Sequence, residues 1–380
     1  MYKLPVLLFI VLYTTLAYSQ PAKSTATNQG TVLYHTDFSE GLPADFVDLG
    51  AWVMTKGGIT STTKGLTNYL LLNRQYSINT RKVSVKVSLG KDTKFDLFTI
   101  EIDRSHQWGT LLQADAKDSL LRIYKPYNAD NPVYPEILID HHYAFVAGRD
   151  YTIEMMHDLY TNKFIIIDNL TGNTDTTASA GLGSGLLRDA FAIATENGAA
   201  PIVKSFTVTT QYKPGLKVLF IGDSITEGFT SNNGLFNQPG WSAISGRSAG
   251  IVSGAQNRVL SEIALLRPKY VSILIGTNGF SNVENLTALC NSIIKLGVIP
   301  ILNNITWKRP GPVVKDNEYI ATVRKNLNLK GAAFDAATSI NGLNEKQDFT
   351  LFNPDGIHPN ALGVQKMFDQ LKKDVPELFN

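Results

Sequence analysis

The chain has 380 residues, and at ~100 to 200 residues per domain that length favours two domains over one. Hydrophobic residues make up 43% and charged residues 18%, with 30 Gly and 16 Pro, a composition that excludes disordered, collagen-like and disulfide-scaffold classes and leaves an ordinary globular chain. The 35 Lys and Arg nearly cancel the 33 Asp and Glu, so there is no electrostatic footprint for nucleic acid, and a single Cys290 supplies neither an internal disulfide nor a Cys-rich metal site.

Met1, Tyr2 and Lys3 make a short basic start, Leu4 to Leu12 is almost wholly apolar, and Ala17-Tyr18-Ser19 places small residues where a signal peptidase reads. Residues 1–19 are therefore expected to be a signal peptide cleaved after Ser19, giving a secreted or periplasmic product. The apolar run is too short for a membrane span of ~20 residues and is interrupted by Thr14 and Thr15. No span is expected after its removal. Residues 20–29, rich in Ser, Thr, Ala and Pro, read as a linker.

Residues 30–211 have mostly a period of two. Val83, Val85, Val87 and Leu89 alternate with Ser84, Lys86 and Ser88, and Phe98, Ile100 and Ile102 alternate with Thr99, Glu101 and Asp103, each set lining one face of a strand. Further strands are expected at Leu120 to Tyr124, Tyr151 to Met155, Phe164 to Ile167, Phe191 to Ala194 and Phe206 to Thr210, separated by Gly- and Asp-containing turns. Many short strands without a long helix predict an antiparallel β-sandwich.

Past Lys213-Pro214-Gly215 the period changes, and residues 216–380 alternate strands with helices. Strands are predicted at Lys217 to Ile221, Tyr270 to Ile275, Val298 to Leu302 and around Ala333. Helices are predicted at Val259 to Leu266, at Leu286 to Leu296, near Glu318 to Leu327, and over the C-terminal set Val364, Phe368, Leu371 and Val375. That series predicts a three-layer α/β domain with a mainly parallel sheet.

Ligands of such a sheet bind at the carboxyl ends of its strands, where four polar blocks fall: Gly222-Asp223-Ser224, Ser245-Gly246-Arg247, Gly276-Thr277-Asn278 and Asp355-Gly356-Ile357-His358-Pro359. Acyl transfer needs a nucleophile, a base, a group that orients the base, and donors for the oxyanion. Ser224 fits the nucleophile, His358 the base and Asp355 the orienting carboxylate. The backbone N–H groups of Ser224 and Gly246 and the side chain of Asn278 fit the oxyanion hole. Of six histidines only His358 lies in this half.

These blocks, in this order, resemble the GDSL-type or SGNH hydrolase family. The resemblance implies a flavodoxin-like fold and cofactor-free hydrolysis of esters without a metal, frequently of acetyl esters on carbohydrate. Gly279 stands where the family's Asn block usually continues with Asp. The N-terminal half resembles, by pattern alone, concanavalin-like or laminin-G-like sandwiches attached to polysaccharide enzymes, with Trp108, Tyr124, Tyr127 and Tyr134 as candidate sugar-stacking aromatics.

Together these imply an exported serine esterase acting on acetylated polysaccharide or oligosaccharide, with Trp307 as a further substrate-stacking candidate in the mixed polar stretch Asn303 to Arg309. The competing readings are a lipid esterase or lysophospholipase of the same fold, and a catalytically silent glycan-binding protein. Arg247 and Glu227 read as solvated charges and Cys290 as an inert core thiol. His141 and His142, adjacent on a strand, point to opposite faces and make a poor chelate. Asp168, Asn169 and Asp175 suit turn chemistry better than a calcium site. Nothing in the sequence specifies an oligomeric state.

Overall fold

The computed structural model describes residues 30–100, 108–124, 137–158, 161–180, 190–196, 200–230, 234–308, 313–342 and 346–380. The expected signal peptide and linker lie outside the described residues, as do Tyr127 and Tyr134. Among the described residues, no helix is long and apolar enough to cross a membrane.

Described residues from Thr31 to Thr210 build two antiparallel sheets, of eight and seven strands. The eight-stranded sheet is organised around Arg81–Ser88, which pairs with Asp150–Asp158 on one side and Ile202–Thr210 on the other. Its alternation is the one expected from the sequence: Val83, Val85 and Val87 are fully buried while the intervening residues reach solvent. These valines join Phe95, Leu97, Leu112 and Ile193 of the seven-stranded sheet in a shared hydrophobic core, the arrangement that apolar faces of two sheets adopt to leave water.

The seven-stranded sheet departs from simple alternation. Lys94–Ile100 is buried on both faces, because Phe98, Ile100, Leu111 and Tyr124 on the far face form a second core with Leu66 and Tyr69. The Tyr69 and Phe98 rings meet edge to face at 5.9 Å. Tyr124 is therefore a packing residue, with its hydroxyl donating to Gln113 at 3.2 Å, and does not offer the open ring that sugar stacking needs. Beside it Asp96 is fully buried and bonded by Gln113 at 3.0 Å. Burial and the neighbouring Glu196 raise its carboxyl well above the ordinary range, and burial pushes Glu196 itself to about 7.

The C-terminal half holds a four-stranded parallel sheet in the spatial order Ser242–Gly246, Val218–Gly222, Tyr270–Leu274, Ile299–Leu302. Val218–Gly222 and Tyr270–Leu274 are buried along their whole length, as continuous apolar strands covered on both faces must be. Helices Val252–Leu266, Val283–Lys295, Val314–Leu327 and Ala361–Asp374 accompany the sheet. Val283–Lys295 starts at a reciprocal capping box between Asn282 and Asn285 and buries Leu286, Leu289, Cys290 and Ile293, the i, i+3, i+4, i+7 stripe of an amphipathic helix.

The strand expected around Ala333 is reduced to a single parallel bridge between Ile301 and Lys330, after which Phe334–Ala337 is helical. Asn303 explains the break. Its side chain accepts the Ala332 N–H at 2.9 Å, taking the place of a ladder partner, while a Cβ on Gly331 would come within 1.8 Å of the Leu302 carbonyl oxygen.

The two halves share one core cluster and are stitched by backbone. Ile78 forms an antiparallel bridge with Ser245 on the edge of the parallel sheet, and the Asn79 N–H donates to the Ile244 carbonyl at 2.9 Å.

Candidate active site

The strand Val218–Gly222 turns directly into the short helix Ser224–Gly228. A side chain at Gly222 would lie 2.0 Å from the Leu274 carbonyl oxygen and 2.1 Å from Thr226 Oγ1, so only glycine lets the neighbouring strand and the helix come this close. Asp223 caps the turn, its Oδ1 accepting the Ile225 N–H at 3.1 Å. Ser224 follows as the first helical residue, a position whose N–H has no acceptor within the helix.

Asp355 and His358 form the second part. Asp355 Oδ1 accepts the N–H of Ile357 at 2.8 Å and of His358 at 3.0 Å, an Asx-type turn that Gly356 completes with φ +65°. The other carboxylate oxygen lies 2.7 Å from His358 Nδ1. His358 Nε2 is 2.8 Å from Ser224 Oγ. A carboxylate only accepts, so Nδ1 carries the proton and Nε2 is left to accept from the Ser224 hydroxyl.

Partial burial would raise the Asp355 carboxyl, but the N–H groups of His358 and Ile357 and the imidazole outweigh it and hold it below the ordinary range. It is the anion in this chain of groups. The His358 and Asp355 side chains are 39% and 44% exposed, which leaves the hydroxyl within reach of a large substrate. Asp223 is different: fully buried, its carboxyl is pushed up to about 6 by desolvation, against the pull of Ile225, Thr277 and nearby His358.

Asn278 follows the strand Tyr270–Leu274 and donates from Nδ2 to the Gly250 carbonyl at 3.0 Å. Its amide carries a second N–H. Gly250 abuts the nucleophile turn, since a Cβ built on it would lie 3.4 Å from the Gly222 oxygen and 3.6 Å from Asp223 Cα. Gly246, the glycine expected here, lies against the nucleophile's own helix: a Cβ on it would come within 2.1 Å of the Glu227 nitrogen, so its small size serves the packing of the Ser224–Gly228 helix on the strand. Gly250, four residues on, supplies the carbonyl that holds Asn278, while its own N–H donates to the Arg247 carbonyl at 2.9 Å.

Other expectations are corrected by burial. Trp307 is only 9% exposed and clusters with Leu351 and Phe352, so its indole is a packing element and offers no open stacking platform. Arg247 and Glu227, read as solvated charges, are each 7% exposed. Cys290 is buried and its thiol is pushed up to about 12. His141 pairs with Asp175 at 2.7 Å, and Asp168 accepts from Leu170 and Arg149. Among the described residues, no group of three or more His, Cys, Asp and Glu is arranged to hold a metal. Two features went unread in the sequence, the buried Asp223 carboxyl and Lys308, whose ammonium donates to the Thr277 carbonyl at 2.6 Å beside Asn278. Ile221 and Ile225, two positions away on either side of Asp223, are the one signal for its burial.

No protein-family model matches the chain, and no curated protein matches it. Solved structures do. A GDSL-like lipase from Bacteroides thetaiotaomicron VPI-5482 aligns at 20% identity over 42% of this chain and 87% of its own, with a TM-score of 0.37. An α/β hydrolase from the metagenome of Lake Arreo, Spain, aligns at 19% identity over 44% of this chain and 98% of its own, with a TM-score of 0.35. The carbohydrate-binding module CBM66 from Bacillus subtilis aligns at 10% identity over 44% of this chain and 96% of its own, with a TM-score of 0.35.

Proposed function

We propose that the chain is an exported serine esterase that removes acetyl groups from polysaccharide or oligosaccharide, built as a jelly-roll sandwich followed by a flavodoxin-like SGNH hydrolase domain. The observation that carries this reading is the continuous hydrogen-bonded chain from Ser224 Oγ to His358 Nε2 at 2.8 Å and from His358 Nδ1 to Asp355 at 2.7 Å. Numbered within the C-terminal half, the strand order 2-1-3-4 supports the fold assignment.

In this mechanism Ser224 Oγ attacks the ester carbonyl carbon as His358 Nε2 takes the hydroxyl proton. The carbonyl π-electrons move to oxygen, where the backbone N–H groups of Ser224 and Gly246 and the second N–H of Asn278 serve as the donors for the charge. Collapse breaks the bond to the alcohol, which leaves with the proton from His358. Water then attacks the acetyl-serine, gives a proton to the same nitrogen, and releases acetate as Ser224 recovers its hydrogen. Asp355 stays ionised and stabilises the imidazolium.

Exposed Asn278, Asn353 and Asp355 give the site a polar rim, which suits a hydroxyl-rich alcohol better than a long acyl chain. The test is a chromogenic acetyl ester beside acetate release from acetylated xylan, pectin and mannan. Ser224→Ala should abolish turnover of both with the fold intact, leaving only the ~10³-fold advantage over water that binding and oxyanion donors provide. Retention of wild-type turnover by this variant removes the assignment.

A further inference from the structure

Phe280 lies two residues beyond Asn278, at the carboxyl end of the Tyr270–Leu274 strand. Its backbone is left-handed, φ +61°, a conformation that costs energy for a bulky side chain. Its ring is 80% exposed. Phe38, the other phenylalanine in this conformation, offers a contrast: with φ +58° it is 1% exposed, and its ring packs on Phe46 at a centroid distance of 5.8 Å. Phe280 has no burial of that kind.

The surrounding hydrogen bonds nevertheless hold the strained turn. Asn285 Nδ2 donates to the Phe280 carbonyl at 2.7 Å, Asn282 and Asn285 cap each other at 2.8 and 3.0 Å, and the Gly279 N–H closes a turn on Gly276 at 2.9 Å. An exposed aromatic two residues from Asn278, kept at a backbone cost that no packing offsets, is the kind of outlier that points to use by a ligand.

We infer that Phe280 is the substrate-binding platform of this site and stacks on the sugar ring that carries the acetyl ester. This rests on the esterase reading. A pyranose has a C–H face bordered by hydroxyls, and along the chain exposed Phe280 is flanked two residues away on either side by exposed Asn278 and Asn282, an apolar residue within a polar segment. An acyl chain would need a continuous apolar surface, since each buried CH₂ contributes separately.

The experiment compares wild type, Phe280→Gly and Phe280→Trp on partially acetylated xylo-oligosaccharide, a small chromogenic acetyl ester and a hexanoyl ester, with thermal melts of each protein. Phe280→Gly should raise KM for the oligosaccharide roughly three- to tenfold, the range of one aromatic stack. Both small esters should lose less than the oligosaccharide, and the melting temperature should be equal or higher, because glycine relieves the left-handed strain. Phe280→Trp should restore the oligosaccharide KM. An unchanged KM, equal losses on oligosaccharide and small ester, a loss confined to the hexanoyl ester, or a lowered melting temperature in Phe280→Gly overturns the inference while wild-type turnover leaves the esterase reading standing. Wild type inert on every ester removes both.

Discussion

The backbone N–H of Ile78 donates to the carboxylate of Glu262 at 2.9 Å, across the junction of the two halves. The same oxygen accepts the Ser77 N–H at 2.9 Å, and the other accepts the Ser245 hydroxyl. Glu262 is fully buried, and desolvation raises its carboxyl even against these donors and nearby Arg258. It therefore satisfies two backbone donors of the sandwich half at the edge of the parallel sheet. Glu262→Ala would leave both donors buried without an acceptor, at ~1 to 3 kcal/mol each, and should lower stability by at least ~2 kcal/mol in chemical denaturation. Glu262→Gln keeps an acceptor and should retain most of that stability; equal losses in both variants would show that the carboxylate is not what the junction needs.

Asn278→Ala should lower kcat by ~10² to 10³ on any acetyl ester with little change in KM, because a donor aimed at the developing oxyanion acts mainly in the transition state. Steady-state kinetics on the small ester decides it. A rise in KM at constant kcat would make Asn278 a ground-state binding residue.

Asp223 gives a pH signature. Its carboxyl moves from 3.8 to about 6 on folding, so the folded protein holds this proton more tightly than the unfolded chain does. The resulting stabilisation is complete below about pH 4 and is lost as pH rises through about 6. Asp223→Asn cannot ionise and keeps an oxygen for the Ile225 N–H. Its stability relative to wild type should climb between about pH 4 and 6 and then level off. Parallel denaturation curves across that range would show that Asp223 is not desolvated.

Trp307→Ala should cost about 3 to 5 kcal/mol, the usual loss for truncating a buried aromatic, since the indole packs with Leu351 and Phe352. Turnover of small ester and polysaccharide should decline together with the melting temperature. A selective loss on polysaccharide at unchanged stability would return Trp307 to the binding surface.

The sequence by itself determined the features that repeat locally. Alternation at Val83, Val85 and Val87 marks a half-buried strand, the stripe Leu286, Leu289, Cys290 and Ile293 marks a helix face, and Asp355-Gly356-Ile357-His358 encodes its own turn, because each depends on neighbours a few residues away. Ser224, Asp355 and His358 were legible as candidates because the motif blocks carry the groups that acyl transfer requires. Only the tertiary structure joined Asn278 to the Gly250 carbonyl. It also decided that Trp307, Arg247 and Glu227 are buried, and that Asn303 interrupts the last strand. It alone joined Ile78 to Ser245 across 167 positions of chain. Burial and long-range pairing are properties of the surfaces that meet after folding, and the periodicity of one segment carries no record of the partner that will cover it.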